Sequence, residues 1–172
     1  MAIFLSEGAG FSESKILVGN LNEITVFLLT VTVFTVFGSL IWGFVTEKFG
    51  PRNSLLGTVA LWIITLTGIV FTQSKVTYYI LGSLAGISLG GVWTTERPLL
   101  INLVAENERL AGYFGLFALT GRMAAVIGPL IWGVTVLAFG SLGAIKYRFA
   151  VGSVLIMMIT GFVILRKVPD AR

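Results

Sequence analysis

The stretch "SLIWGFVTEKFGPRNSLLGTV", residues 39–59, decides how this chain is built. Inside it Glu47, Lys48 and Arg52 crowd around Gly50 and Pro51, with long apolar runs on either side. Each flanking run reaches about twenty residues, the length a helix needs to cross a hydrocarbon core ~30 Å thick at 1.5 Å per residue. The charged segment therefore reads as a corner between two membrane-spanning helices. A solvated connection and a working part of a membrane machine are both open at this point.

The rest of the chain repeats the pattern. Of 172 residues, 56% are hydrophobic and 12% charged, about half the charge of an ordinary soluble domain. The apolar residues fall into five blocks, residues 21–45, 55–71, 76–100, 112–139 and 149–165. They lack the dyad alternation of a membrane β-barrel, so the expected fold is an all-α membrane protein with five spanning helices. Residues 1–15, "MAIFLSEGAGFSESK", carry no leading basic cluster and are interrupted early by Glu7, unlike a signal peptide. They read as the end of a sixth helix.

Composition also limits the chemistry. The chain has no Cys and no His, and its one Asp is Asp170, which removes disulfides, thiolate and imidazole catalysis and the usual metal sites. No nucleophile with a base can be assembled from what remains, so no enzyme, cofactor or metal is expected. The net charge of +4 is scattered singly between apolar blocks and forms no nucleic-acid patch. It works instead as a topological signal. Lys48, Arg52, Arg97, Arg109, Arg166, Lys167 and Arg172 fall on one side, against Lys15, Lys75, Lys146 and Arg148 on the other. The positive-inside rule then places the corner and the C-terminus in the cytoplasm.

Small residues are patterned too. Gly82, Gly86 and Gly90 recur every four residues in the third block, a smooth face against which another backbone can come close. The fourth block carries Gly112, Gly115, Ala118, Gly121, Ala125 and Gly128, followed by Pro129, which removes a backbone donor and favours a bend. Such faces suit either static packing or helices that rock.

Ionisable residues within a span are costly and usually face a bundle interior. Arg122 lies ten residues after Gly112, about 15 Å deep and close to the midplane. Glu96 and Arg97 admit two readings. A third span ending near residue 100 puts them at the interface, whereas one running through "PLLINLVA" to Ala105 leaves Glu96 about 14 Å inside. In the second case, an antiparallel hairpin of spans three and four with its tip near Glu108 and Arg109 sets Glu96 opposite Arg122 as a neutralising pair. Asn22 and Glu23 fit a helix-start cap at least as well as a gate. Trp42, Trp62, Trp93 and Trp132 fit packing or interfacial roles better than substrate-stacking walls.

Taken together, these residues resemble a known family. "GFVTEKFGPR", Gly43 to Arg52, is similar to the signature loop of the major facilitator superfamily: a glycine, an acidic–basic pair, a glycine and a basic residue. Here the pair is Glu47 and Lys48 where Asp and Arg are commoner. "GGVWTTERPLLINLV" and "YFGLFALTGRMAAVIGPLIWG" look like the vacuole effluxer-like branch, with Arg97 on that branch's Arg and Arg122 on its Lys. Gly115, Gly121, Gly128 and Pro129 fall on its small and bend-forming positions, while Trp93, Glu96 and Pro98 depart from it.

The resemblance implies five helices equivalent to the eighth to twelfth of a two-halved transporter, with the amino-terminal half absent through truncation or a split gene. It further implies alternating access for a small solute, amino acids among the possibilities, in the plasma or inner membrane. Arg122, Arg97 and Glu96 would line the substrate pathway, and Gly43, Glu47, Lys48, Gly50 and Arg52 would form a cytoplasmic gating loop. The expected partners are the lipid bilayer, the solute, and the missing half or another membrane subunit, with no nucleic acid. The alternative is a stand-alone assembly protein that docks on a partner through its glycine-lined helix faces.

Overall fold

A computed structural model describes Ser6, Ala9, Phe11, residues 16–18, 21–104 and 110–169. The expected end of a sixth helix over residues 1–15 lies outside the described residues apart from those three positions, as does the expected hairpin tip at Glu108 and Arg109. A small antiparallel pair, β1 (Ile16–Val18) and β2 (Leu21–Asn22), leads into α1 (Glu23–Phe49), α2 (Pro51–Phe71), α3 (Lys75–Val104) and α4 (Leu110–Ala138). A 3₁₀ turn (Gly140–Ile145) then joins α4 to α5 (Lys146–Leu165). All five α-helices are long and apolar enough to cross a membrane.

Local chemistry sets the ends of α1. Asn22 Oδ1 accepts from the Thr25 N–H at 2.8 Å, satisfying one of the orphan donors of the first turn. At the other end the Gly50 N–H donates to the Thr46 carbonyl at 3.0 Å, and Gly50 adopts φ 82°, ψ 157°, a region open essentially to glycine alone. Pro51 follows at the first position of α2, where its missing N–H costs nothing. The charged corner is thus almost entirely helical: Glu47 and Lys48 belong to α1 and Arg52 to α2, with one non-helical residue between them. The sequence expectation of a longer turn, with the second span starting near residue 55, is corrected accordingly. Polarity marks where helices leave the apolar core, not where they stop.

The third span likewise outruns residue 100 and continues through Pro98 to Val104, the longer of the two readings. Glu96 then lies about 12 Å from that end.

Helix α3 is the centre of the packing. Its glycine face meets α1 backbone to backbone: a Cβ added at Gly90 would stand 2.6 Å from the Ser39 nitrogen and closer still to the Thr35 carbonyl, and one at Gly86 would strike the Val31 carbonyl. On the facing helix, a Cβ at Gly38 would lie 2.5 Å from the Ile87 Cα. Any larger side chain would force the backbones apart.

Helix α2 packs on α3 by a different device, short hydroxyl side chains. Ser54, Thr58, Thr65, Ser88 and Thr95 are all under 2% exposed. Each hydroxyl donates to a carbonyl one turn back, such as Thr58 to Ser54 at 2.9 Å and Thr95 to Gly91 at 2.8 Å, so it is buried without an unmet donor.

Helix α5 lies against α2, and α4 lies against α5. Although consecutive in the chain, α3 and α4 scarcely touch. At the end opposite the charged corner, Phe11, Ile24, Phe27, Leu66, Tyr78, Tyr147 and Val151 form an apolar cluster, with Trp62 and Trp132 packed at its edge. Elsewhere α1 presents Val36, Phe37, Leu40 and Phe44 outward, a surface suited to lipid.

Candidate functional site

Four groups of residues bear on function: the charged corner, the Glu96–Arg97 step, the open face of α4, and an ion pair where α1 and α3 begin.

At the corner, Glu47 and Lys48 are exposed, with the Lys48 ammonium 5.4 Å from the Phe49 ring centroid. Gly43 makes only ordinary contact with α3, since a Cβ there would stand 4.0 Å from Thr94 Cγ2. Arg52 turns away from this pair toward α5. Its Nε donates to the Val168 carbonyl at 2.6 Å and its Nη2 to the Arg166 carbonyl at 2.9 Å. These carbonyls follow the last turn of α5, so the guanidinium satisfies acceptors at a helix C-terminus and lies where the helix dipole favours a cation. The three charges of the motif therefore separate into an exposed pair and one arginine that ties α2 to the end of α5.

Glu96 is half-buried on α3 and Arg97 exposed. Arg122 is exposed on α4, about 18 Å from the start of that helix and near its middle. Glu96 and Arg122 are not brought together: the ion pair among the described residues is Glu23 with Lys75, and α4 packs on α5 instead of folding back along α3. The hairpin expectation assumed that neighbours in the chain are neighbours in space, and here α5 takes that place.

Arg122 borders a shallow, open recess on the α4 surface with Met123, Val126 and Ile127. A second recess lies further along, lined by Gly128, Pro129, Trp132 and Val154. None of the α4 residues is buried, and a Cβ at Gly112, Gly115, Gly121 or Gly128 would meet nothing within 4 Å. At 100° per residue, Gly115, Ala118, Ala125 and Pro129 share a face with Arg122, together with the exposed Leu119 and Val126, so the guanidinium stands on an open helix side with both small and larger apolar neighbours. In contrast, Gly82, Gly86 and Gly90 are buried against α1. The expectation that a partner docks on the α3 stripe is thus corrected, because α1 already fills it.

Sequence reasoning missed the ion pair. Both Glu23 carboxylate oxygens lie 3.0 Å from the Lys75 ammonium, and Glu23 is 5% exposed. The cap of α1 is Asn22, which leaves Glu23 to join the first turn of α1 to the first residue of α3. Lys75 also stands 5.4 Å from the Phe11 ring, itself packed edge-on to Phe27 at 5.3 Å and near Tyr79 at 5.7 Å. The usable signal was one acid and one base at the starts of two spans that enter from the same side.

Residues 4–172 match the family profile of the Major Facilitator Superfamily. The chain belongs to that superfamily. Its five apolar helices are accordingly those of a multi-pass integral membrane protein of this family. Relatives include a protein described as an uncharacterized MFS-type transporter, YxiO, of Bacillus subtilis, 28% identical over 153 residues covering 89% of this chain and 34% of the relative. The benzoate transport protein of Acinetobacter baylyi is 28% identical over 114 residues, 66% of this chain and 24% of that protein. Autophagy-related protein 22 of Kluyveromyces lactis is 27% identical over 134 residues, 72% of this chain and 27% of that protein. The chain spans about a third of the first relative's length and about a quarter of the other two. No solved structure matches it.

Proposed function

We propose that these five helices are the carboxyl-terminal bundle of a major facilitator transporter of the vacuole effluxer-like branch, moving a small solute by alternating access. The carrying observation is Arg122, a permanent cation near the middle of a spanning helix, on an open face beside a shallow recess lined by Met123, Val126 and Ile127. A guanidinium at that depth is costly unless a polar group meets it. A pathway that admits an anionic solute supplies one. The bundle works with a second one, the amino-terminal half or another membrane subunit, since alternating access needs two bodies moving around a midplane site. The share of the relatives that the chain covers supports this reading.

The solute is a small carboxylate. Amino acids follow from the resemblance to the effluxer-like branch, and benzoate from the name of one relative. Both carry the planar carboxylate that an arginine fork holds bidentately. Arg97 and Glu96 lie further along the same route. Glu47 and Lys48 form the exposed part of a cytoplasmic latch, with Arg52 as its anchor in the α5 end. The C-terminus lies in the cytoplasm, and the membrane is the plasma or inner membrane.

Uptake of labelled benzoate and of a labelled amino-acid mixture, by cells expressing the chain with its second bundle, tests this. Arg122→Ala is expected to abolish carboxylate transport and Arg122→Lys to weaken it. Transport that persists in Arg122→Ala rules out the assigned role.

A further inference from the structure

The two ends of the bundle treat their cations differently. At the end where α1 and α3 begin, Lys75 is neutralised by Glu23, and the Arg148 Nη2 donates to the Thr72 carbonyl at 3.1 Å. At the charged corner, Lys48, Arg52, Arg166 and Lys167 face no carboxylate within ion-pair distance among the described residues, where the acid at that corner is Glu47. Beyond the described residues the sequence adds Glu106, Glu108 and Arg109 between α3 and α4, and Asp170 and Arg172 after α5.

Helix lengths fix the depth of these cations. The 21 residues of α2 and the 20 of α5 rise about 30 Å each, the thickness of the hydrocarbon core. Arg52 stands at the first turn of α2, and Arg166 and Lys167 directly follow α5, so all three fall at headgroup level on one side of the membrane. They are also close together, because Arg52 Nη2 is 2.9 Å from the Arg166 carbonyl. The Arg52 fork spends Nε and Nη2 on α5 and leaves Nη1 without a partner among the described residues. Arg166 and Lys167 are exposed beside it.

We propose that Arg52, Arg166 and Lys167 form a binding site for the phosphate of an anionic phospholipid in the adjacent leaflet. The guanidinium is held in place by two carbonyls before the lipid arrives, so little ordering is needed on binding, and the two neighbouring cations supply attraction at the surface. Occupation would join α2 and α5 at their shared end from the lipid side. Glycerophosphate chemistry fits because one phosphodiester oxygen can accept from Nη1 while another meets a second cation. This inference stands whether or not the solute is a carboxylate, because no residue of the α4 recess takes part.

The test is spin-labelled lipid association with the purified chain in phosphatidylcholine vesicles, comparing labelled phosphatidylglycerol with labelled phosphatidylcholine. Wild type is expected to prefer phosphatidylglycerol. Each cation removed, in Arg166→Gln and in Lys167→Gln, is expected to lower that preference by about five-fold, the factor corresponding to ~1 kcal/mol per basic residue. Lys146→Gln, at the opposite end, is expected to change nothing. Arg52→Lys keeps the charge but loses the fork, and is expected to fall between wild type and the Gln variants. The Lys167 side chain makes no hydrogen bond or ion pair among the described residues, its backbone N–H donating to the Ile164 carbonyl, so Lys167→Gln reports on the site even if the other variants fold poorly. Equal preference in wild type and Lys167→Gln would overturn the proposal, as would an equal loss in Lys146→Gln or displacement of the labelled lipid by millimolar inorganic phosphate.

Discussion

Helices α3 and α4 carry the same kind of small-residue pattern, yet the bundle uses them in opposite ways. On α3, Gly82, Gly86 and Gly90 are buried, and each would bring an added Cβ into collision with α1. On α4, Gly112, Gly115, Gly121 and Gly128 look onto open space, and no residue of the helix is buried. Small residues therefore mark where a backbone can approach, and a second feature decides whether one already has. For α3 that feature is α1, itself lined by Gly38. For α4 it is Arg122, a charge that keeps the face unsuited to plain apolar packing.

The largest effect should come from filling the closed face. Gly90→Leu places a branched side chain where the Thr35 carbonyl and Ser39 nitrogen already stand. Overpacking costs about 1–3 kcal/mol, more where the obstacle is backbone that cannot rotate aside. The expected result is a chain that no longer survives detergent extraction as a monodisperse species, measured by size-exclusion chromatography and thermal unfolding. Gly121→Leu, on the open face, should stay within about 0.5 kcal/mol of wild type. Comparable losses from both changes would show that α4 is packed against something within the chain, and the contrast between the helices would be gone.

A smaller effect separates the two ends of the Glu23–Lys75 pair. Lys75, with its side chain 44% exposed, can turn to water when Glu23 is changed, whereas Glu23 is buried and cannot. Lys75→Met should therefore cost more, about 2 kcal/mol, than Glu23→Gln, about 1 kcal/mol, well below the loss expected for breaking a fully buried pair. Thermal midpoints of the two single variants and the double variant measure this. The reverse order would mean that groups other than Lys75 also hold the Glu23 carboxylate in place.

These contrasts mark what the amino-acid sequence could and could not reveal. The five spans were legible because blocks of apolar residues as long as a bilayer is thick have few other uses. Their ends were less so. Glu47, Lys48 and Arg52 look like loop residues by polarity, but helix continuation depends on backbone conformation, and only the Gly-Pro step at residues 50–51 marks the break. The hydroxyl seam of Ser54, Thr58 and Thr65 was invisible because isolated Ser and Thr in an apolar helix back-bond to their own turn whether or not a neighbour covers them. The Glu23–Lys75 pair and the failure of Glu96 to meet Arg122 turn on which helices are neighbours. Chain order suggested α3 beside α4, and packing put α5 there. Arg122 itself stood out from the start, since a charge ten residues inside an apolar block needs no partner to be noticed.

The next effect in size concerns the tie between α2 and α5. Arg52→Gln removes two charge-assisted hydrogen bonds to carbonyls at a helix end, at a half-buried position, and should cost about 1 kcal/mol. Arg52→Lys should recover part of this through the charge at the end of α5, but not the second hydrogen bond, because an ammonium lacks the fork. Hydrogen exchange of amides in the last turn of α5 is the sensitive measurement. Faster exchange there, with α1 and α3 unchanged, is the expected pattern. An unchanged α5 end would make Arg52 a surface charge and leave the corner without an anchor.

The smallest effect on stability is expected at the residue assigned the largest effect on function. Arg122 makes no hydrogen bond or ion pair among the described residues, so Arg122→Leu removes no polar contact and sets an apolar side chain beside Met123, Val126 and Ile127. The thermal midpoint of the chain should hold or rise. Transport of a carboxylate, measured with the second bundle present, should be lost in the same variant, because the proposed role has the solute carboxylate as the partner of this charge. The two measurements together separate the possible roles of that charge. A midpoint that falls on substitution would reveal a partner for Arg122 inside the bundle, and the charge would then be part of the fold. A midpoint that holds while transport is lost assigns the charge to the pathway, and the difference between α3 and α4 becomes one between a helix packed for strength and a helix left open for traffic.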